Sequence, residues 1–212
     1  MRYQVEPNHY FEVLYDSKPR FISYWHQTNE IINLRAKDVL EIGVGNAFVS
    51  KYLKERGLHV ITLDIDQRLN PDVAGSVLDM PFMDRSFDVI ACYELLEHLP
   101  YNYFYNALCE IFRGSKCYAV LSIPDASRVY RLYIQIPKVG ILRQLVPLPR
   151  FKKPVHKFDG EHYWEIGKAG YPLSTIISDI QKAGFTIERT YRVFEHPYHR
   201  FFILRKELSS YD

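Results

Sequence analysis

DVLEIGVGNAFVSKYLKERGLHVITLDID, residues 38–66, is the stretch whose reading decides the fold. Val39, Leu40 and Ile42 give a buried-strand pattern that runs into Gly43, Val44, Gly45, Asn46 and Ala47. A helix-forming run follows with Val49, Tyr52 and Leu53 on one face, and Gly57 stands where a helix would be capped. A second apolar strand, with Val60, Ile61 and Leu63, ends on Asp64. Strand, glycine-rich turn, helix, strand and acid together make the opening half of a nucleotide-binding α/β domain. The glycines let backbone approach a ligand where a Cβ would collide. An acid at the tip of the second strand can accept two hydrogen bonds from a ribose diol.

A dinucleotide site asks for G-x-G-x-x-G, with a helix N-terminus facing an anionic pyrophosphate. Here Ala47 follows the two glycines and Glu41 precedes them by two residues. A carboxylate at the mouth of the turn repels a pyrophosphate and suits a ligand carrying an ammonium group. With this acid-x-Gly-x-Gly turn the stretch resembles the class I S-adenosylmethionine-dependent methyltransferases, a resemblance that runs over roughly residues 36 to 124.

The resemblance implies a Rossmann-like, seven-stranded, mostly parallel sheet with helices on both faces and a terminal antiparallel hairpin. It implies S-adenosylmethionine as cofactor and S-adenosylhomocysteine as product. The cofactor-binding positions it carries over are Glu41, Gly43, Val44, Gly45 and Asn46 at the first turn, with Asp64 and Ile65 at the second strand. Asp79 is expected beside the adenine amino group, with Met80 on the ring, and Tyr93 faces the transferring methyl. The N-P-P-Y signature of nucleobase amino methylation would fall near residues 91–94 and is absent, which makes nucleic acid an unlikely acceptor. A nicotinamide oxidoreductase is the alternative enzyme, and a cofactor-binding regulatory protein without catalysis is the alternative of another class.

The rest of the chain fills in around this core. At 212 residues and 47% hydrophobic content, one domain with a full core is expected, spanning residues 1–212. Its parts are a cap arm and helix over 1–35, the cofactor-binding core over 36–125, a basic insertion over 126–170 and a closing helix and strands over 171–212. Net charge is +2 and points to no partner. Cys92, Cys109 and Cys117 lack C-x-x-C spacing, so neither a disulfide frame nor a zinc site is expected. No apolar run reaches membrane-spanning length and the first residues are too polar for a signal peptide, so a cytoplasmic location is expected.

Tyr3, Tyr10, Phe11, Tyr15, Phe21, Tyr24 and Trp25 make the first 25 residues an aromatic arm suited to cover core surface or close over the cofactor. A third strand is expected over 73–78, ending at Asp79, and a fourth over 86–93 followed by ELLEHLP. There His98 lies four residues after Glu94, on the same face if the segment is helical, and is the candidate base. Its bland account is a histidine satisfied by Glu94. His162, Tyr163 and Trp164, in the loop HKFDGEHYW, are candidates to line the substrate side.

Residues 126–158 are of another material. Eight cations fall there without one acid, while the rest of the chain carries 19 Lys and Arg against 25 Asp and Glu. Apolar residues at helical spacing (Val129, Leu132, Tyr133, Ile136, then Ile141, Leu142, Leu145) predict a basic amphipathic lid of short helices. Such a lid fits an anionic membrane surface or a lipid-linked acceptor. Packing on the sheet or on a second subunit is the plainer account.

Overall fold

In the computed structural model, residues 5–12, 15–150 and 152–207 are described; Tyr3 of the aromatic arm and the last residues of the closing segment lie outside them. Seven strands form one sheet: β1 (Asp38–Ile42), β2 (His59–Asp64), β3 (Val73–Ala74), β4 (Phe87–Tyr93), β5 (Ser115–Pro124), β8 (Phe185–Arg192) and β9 (His199–Lys206). Their order is β3-β2-β1-β4-β5-β9-β8. The first five run parallel, and β9 enters antiparallel beside β5 and pairs with β8. The expected mostly parallel sheet with its antiparallel closing pair is therefore present.

Because side chains alternate across a strand, each central strand feeds two cores. Val39, Val60, Val89, Ala91 and Val120 pack under α1 (Lys18–Asn33) and α2 (Phe48–Glu55), against Tyr24, Ile31, Val49 and Leu53. Leu40, Leu63, Ile90, Cys92 and Leu121 face the other way, onto Leu108 and Ile111 of α3 (Phe104–Gly114) and Ile176 and Ile180 of α4 (Leu173–Lys182). Cys92 packs in the core as a small apolar side chain, Cys109 is half-buried and Cys117, on β5, is exposed. Gly57, at φ +87, ends α2 with its N–H on the Lys54 carbonyl while Leu58 N–H bonds Leu53.

Two expectations about local structure are corrected. The first concerns β3, which ends at Ala74; a bridge between Ser76 and Asp79 then folds the chain back. The second concerns the basic stretch, which is no set of helices. It forms a hairpin of β6 (Val129–Ile136) and β7 (Gly140–Pro147), paired rung for rung from Val129↔Pro147 to Ile136↔Gly140. Val, Ile and Tyr crowd these strands, and such side chains favour the pleated surface over a helix. Lys138 and Gly140 take φ of +67 and +132 at the turn, closing a hairpin where the spacing alone suggested a helical run. Most of the hairpin is exposed, including Tyr130, Ile136, Ile141 and Leu142. Arg131 and Arg143 tie it to Glu195, through the backbone carbonyl and the carboxylate respectively.

Candidate active site

A cavity of about 560 Å³ opens at the C-terminal ends of β1, β2 and β4. This is the end where the strands of an open α/β sheet deliver ligand-binding loops. From β1 it receives Glu41 and the turn Gly43, Val44, Gly45 and Asn46; from β2 it receives Asp64 and Ile65. Tyr93 and His98 come from β4 and the segment after it. Nine of the residues expected from the sequence thus share one cavity wall.

The turn is shaped by its glycines. Gly43 sits at φ +86, a conformation that disfavours any side chain, and an added Cβ would meet Leu95 Cδ1 at 2.6 Å, so a larger residue is strained and must displace the Leu95 side chain. Gly45, at φ +53, passes beneath Tyr10, whose ring would be 3.6 Å from an added Cβ. Asn46 closes the turn by accepting from Phe48 N–H at 3.1 Å and donating to Tyr24 Oη at 3.0 Å. Asp64 is fixed by two backbone donors, Val44 N–H and Asp66 N–H, each at 2.8 Å. Each of its oxygens keeps a second lone pair.

Glu41 is buried, and its Oε2 has no hydrogen-bond partner. Burial pushes its carboxyl up to about 8, against the pull of hydrogen bonding from Ser50 and the charge of Lys54. An orphaned acid beside a cavity is a group suited to a cationic partner.

Asp79 and Met80 do not reach this cavity. Asp79 is exposed beyond the Ser76 bridge. Met80 is buried in the core, its N–H on Glu110 and its carbonyl held by Arg113. The wall after β3 is instead built by Gly75, Ser76 and Val77. Ser76 is the first polar side chain after the strand, a cue overridden by counting the strand too long.

The far side of the cavity holds a titratable cluster. His98 does not sit on a helix with Glu94: Glu94 has φ +46, and Leu96–His98 is a 3-10 turn. His98 Nδ1 donates to the Glu161 carbonyl at 3.1 Å, and its ring meets His162 edge-on at 5.0 Å. Burial first, then the charge of His162, holds His98 down at about 4. Glu94 instead faces His199 at 3.4 Å, and burial raises it. Glu97 is fully buried with neither carboxylate oxygen partnered; burial and the charge of Glu94 push it well up.

His162 and Tyr163 line the cavity from the insertion, while Trp164 is wholly buried behind them. Glu97 and Glu165 join the cluster without having been expected from the sequence, where the signal for them is E-H at residues 97–98 and H-x-x-E at 162–165. Tyr10 and Tyr15 of the arm form the roof, with Arg20 Cζ stacked 4.0 Å over the Tyr15 ring.

Comparison with known proteins bears on the fold and on the stretch that builds the turn. Residues 40–117 match the family model of a methyltransferase domain. Over 105 residues the chain is 30% identical to a ubiquinone biosynthesis O-methyltransferase of Pseudomonas aeruginosa (strain UCBPP-PA14), covering 42% of this chain and 44% of that one. The chain thus spans less than half the length of that relative. Among solved structures, an S-adenosylmethionine-dependent methyltransferase from Clostridium acetobutylicum ATCC 824 superposes with a TM-score of 0.63 at 9% identity, covering 96% of this chain and all of the other. The 1,6-didemethyltoxoflavin-N1-methyltransferase of Burkholderia thailandensis, solved with its substrate and S-adenosylhomocysteine, gives 0.56 at 15% identity, over 98% of this chain and 93% of that one. The superpositions give this chain the fold of S-adenosylmethionine-dependent methyltransferases, and the part of it that matches the methyltransferase-domain model is residues 40–117, the stretch that builds the glycine turn and the parallel core.

Proposed function

We propose that this chain binds S-adenosylmethionine in the cavity and moves its methyl group to an oxygen, nitrogen or carbon nucleophile of a small or lipid-linked acceptor. The observation that carries the reading is the pair of carboxylates, the buried Glu41 and the half-buried Asp64, flanking the Gly43–Gly45 turn in one cavity. They suit the two recognisable ends of the donor, an ammonium and a ribose diol. The orphaned Glu41 oxygen and the positive φ of Gly43 and Gly45, which turns the backbone between the two acids, fit such a ligand. Ile65, at the cavity rim, and Val77 offer apolar surface for a purine, with Ser76 in reach of its edge.

When bound, the donor supplies an already activated methyl on a sulfonium centre. What remains for the protein is alignment, exclusion of water and, for an O–H or N–H acceptor, removal of a proton. Tyr10 and Tyr15 close the cavity over the turn. His98, neutral around pH 7, is the group we assign to the acceptor's proton. Turnover in His98→Ala is expected to fall about 100-fold with donor affinity unchanged. Parallel loss of thermal stability and activity would make His98 a packing residue instead.

The reading is tested by titrating S-adenosylhomocysteine into wild type and Asp64→Ala by calorimetry. Losing a charged, two-pronged acceptor is expected to weaken binding by about 1.5–3 kcal/mol. An unchanged dissociation constant in a folded variant would overturn the assignment.

The hairpin supports a second element of this proposal, contact with an anionic membrane surface. Among the described residues no helix is long and apolar enough to cross a membrane. The exposed Tyr130, Ile136, Val139 and Ile141 sit among cations on a projecting two-stranded arm. Apolar insertion plus roughly 1 kcal/mol per cation near the surface favours such contact. Vesicles containing anionic lipid are expected to bind the protein at low salt and release it as salt rises. Changing Arg150, Lys152 and Lys153 together to Ser should weaken binding, and indifference of the wild type to such vesicles would sink the idea.

A further inference from the structure

Beneath the acceptor side of the cavity lies a site that the methyl-donor reading does not use. Glu97 is 0% exposed and neither of its carboxylate oxygens has a hydrogen-bond partner. Glu94, near enough for its charge to act on Glu97, also has one buried oxygen without a partner. Two adjacent carboxylates with three unmet acceptor atoms are costly to bury unless a cation sits among them. Packed against them are two imidazoles, His98 and His162, and one donor atom each from Glu97, His98 and His162 lies within 4.8 Å of the others.

We propose that Glu97, His98 and His162 bind a divalent first-row transition-metal cation at the floor of the acceptor pocket. His162 Nε2 stands 4.0 Å from Glu97 Oε1. Two ligands each about 2.1 Å from one ion stand roughly 3.4 Å apart at a tetrahedral angle and about 4.2 Å apart when opposed, so this gap lies at the wide end of that range and a small side-chain movement brings both onto one ion. The other nitrogen, His162 Nδ1, faces Glu165 Oε1 at 3.4 Å. Glu165 is in turn held by Tyr198 Oη at 2.8 Å and by Lys168 at 3.4 Å. That is the carboxylate–histidine arrangement that fixes the tautomer and orientation of a metal-binding imidazole. His98 has the equivalent support, its Nδ1–H donated to the Glu161 carbonyl at 3.1 Å.

Charge and ligand type narrow the choice of ion. The buried, unpartnered Glu97 carboxylate calls for a cation, and imidazole nitrogen favours manganese-to-zinc ions over calcium or magnesium. A second grouping, Asp159, His162 and Glu165, is geometrically compact. The oxygens of Glu165 already serve Tyr198, Lys168 and His162, so the unmet valence lies at Glu97.

The ion's position deepens the proposed activity and, for this step alone, rests on it. Glu94, His98 and His162 line the cavity while Glu97 lies below it, so unfilled coordination positions face the acceptor. An acceptor with two adjacent oxygens, such as a vicinal diol or hydroxy-ketone, would chelate there. Metal coordination lowers the pKa of a bound hydroxyl, which loses its proton to water; with Nε2 on the ion and Nδ1–H on Glu161, His98 then serves as a ligand, and the ion takes over the activating role assigned to His98 above. The resulting alkoxide oxygen forms its bond to the methyl carbon as the carbon–sulfur bond breaks, and sulfur leaves as a neutral thioether.

The test uses the full chain without a histidine tag, stripped with chelator, and Co2+ as probe. Calorimetry and visible absorption are expected to report one Co2+ per chain with bands of a mixed nitrogen–oxygen ligand set. Glu97→Gln and His162→Gln should each weaken binding at least 10-fold, and Glu165→Gln by about 10-fold through the lost support. S-adenosylhomocysteine is titrated into the same samples and should bind all variants alike. Wild type that takes up no Co2+ at millimolar concentration, or binds it equally well in both ligand variants, overturns the site. If Glu97→Gln does not fold, His162→Gln, altered in a loop, carries the comparison. Co2+ uptake lost in the variants while wild type ignores S-adenosylhomocysteine would keep the metal site and discard the methyl-transfer reading.

Discussion

Trp164→Ala is expected to cost about 3–5 kcal/mol of folding stability, the range for removing a large aromatic from a core. Trp164 is fully buried, and its indole N–H donates to the Leu99 carbonyl at 3.1 Å. Tyr101 and Phe104 meet it edge-on, with ring centroids 4.9 and 5.0 Å away. It is thereby the peg that holds the loop bearing His162 and Glu165 against the segment after β4. Trp164→Phe keeps most of the packing and leaves Leu99's carbonyl without its donor, so a smaller loss of about 1–3 kcal/mol is expected. Urea denaturation of both variants checks the ordering. An alanine variant within about 1 kcal/mol of wild type would mean the loop is held by something else.

Glu41→Gln is expected to remove most of the alkaline decline in stability of the ligand-free protein. Glu41 has its ordinary value of 4.5 in the unfolded chain and about 8 in the fold, because burial disfavours the carboxylate. Between those values the folded state holds more proton than the unfolded state, so stability falls as pH rises through that window. The separation corresponds to a loss on the order of 4 kcal/mol by pH 9. Thermal midpoints of wild type should drop from pH 5 to pH 9, and those of Glu41→Gln should drop far less. The same shift has a binding signature. A cationic group entering the cavity favours the carboxylate, so Glu41 should release a proton near pH 7. Calorimetric enthalpies for S-adenosylhomocysteine should then vary with the ionisation heat of the buffer in wild type alone. Equal buffer dependence in the variant would remove Glu41 from the ammonium position.

Both effects arise where the chain brings distant segments to one cavity, and there the sequence divides into legible and illegible parts. Residues 38–66 determine their own geometry. Gly43 and Gly45 take positive φ, and Glu41 and Asp64 close neighbouring strands whose register, Glu41 beside Thr62 and Ile42 beside Leu63, brings both acids to one end. Alternation and strand length are local properties, so the parallel core and its nucleotide-type turn could be read from a short stretch.

What the sequence alone left undecided depended on partners far along the chain. Asp79 reads as a strand-end acid, yet the backward fold at Ser76 and the grip of Glu110 and Arg113 on Met80 turn it outward. The stretch 129–147 has apolar spacing that serves a helix or a strand, and rung-by-rung pairing across the Lys138 turn decided for strands. His98 was visible as a titratable residue, but its company was not. Glu94 turns to His199, and His162 arrives from a loop more than sixty residues later. Single-residue types and periodicities determined the Glu41–Asp64 side of this cavity, because the contacts of that turn are close in sequence. Tertiary packing alone decided the acceptor half, because burial of Glu97 and the approach of His162 exist only once the Trp164 loop has closed onto β4's exit.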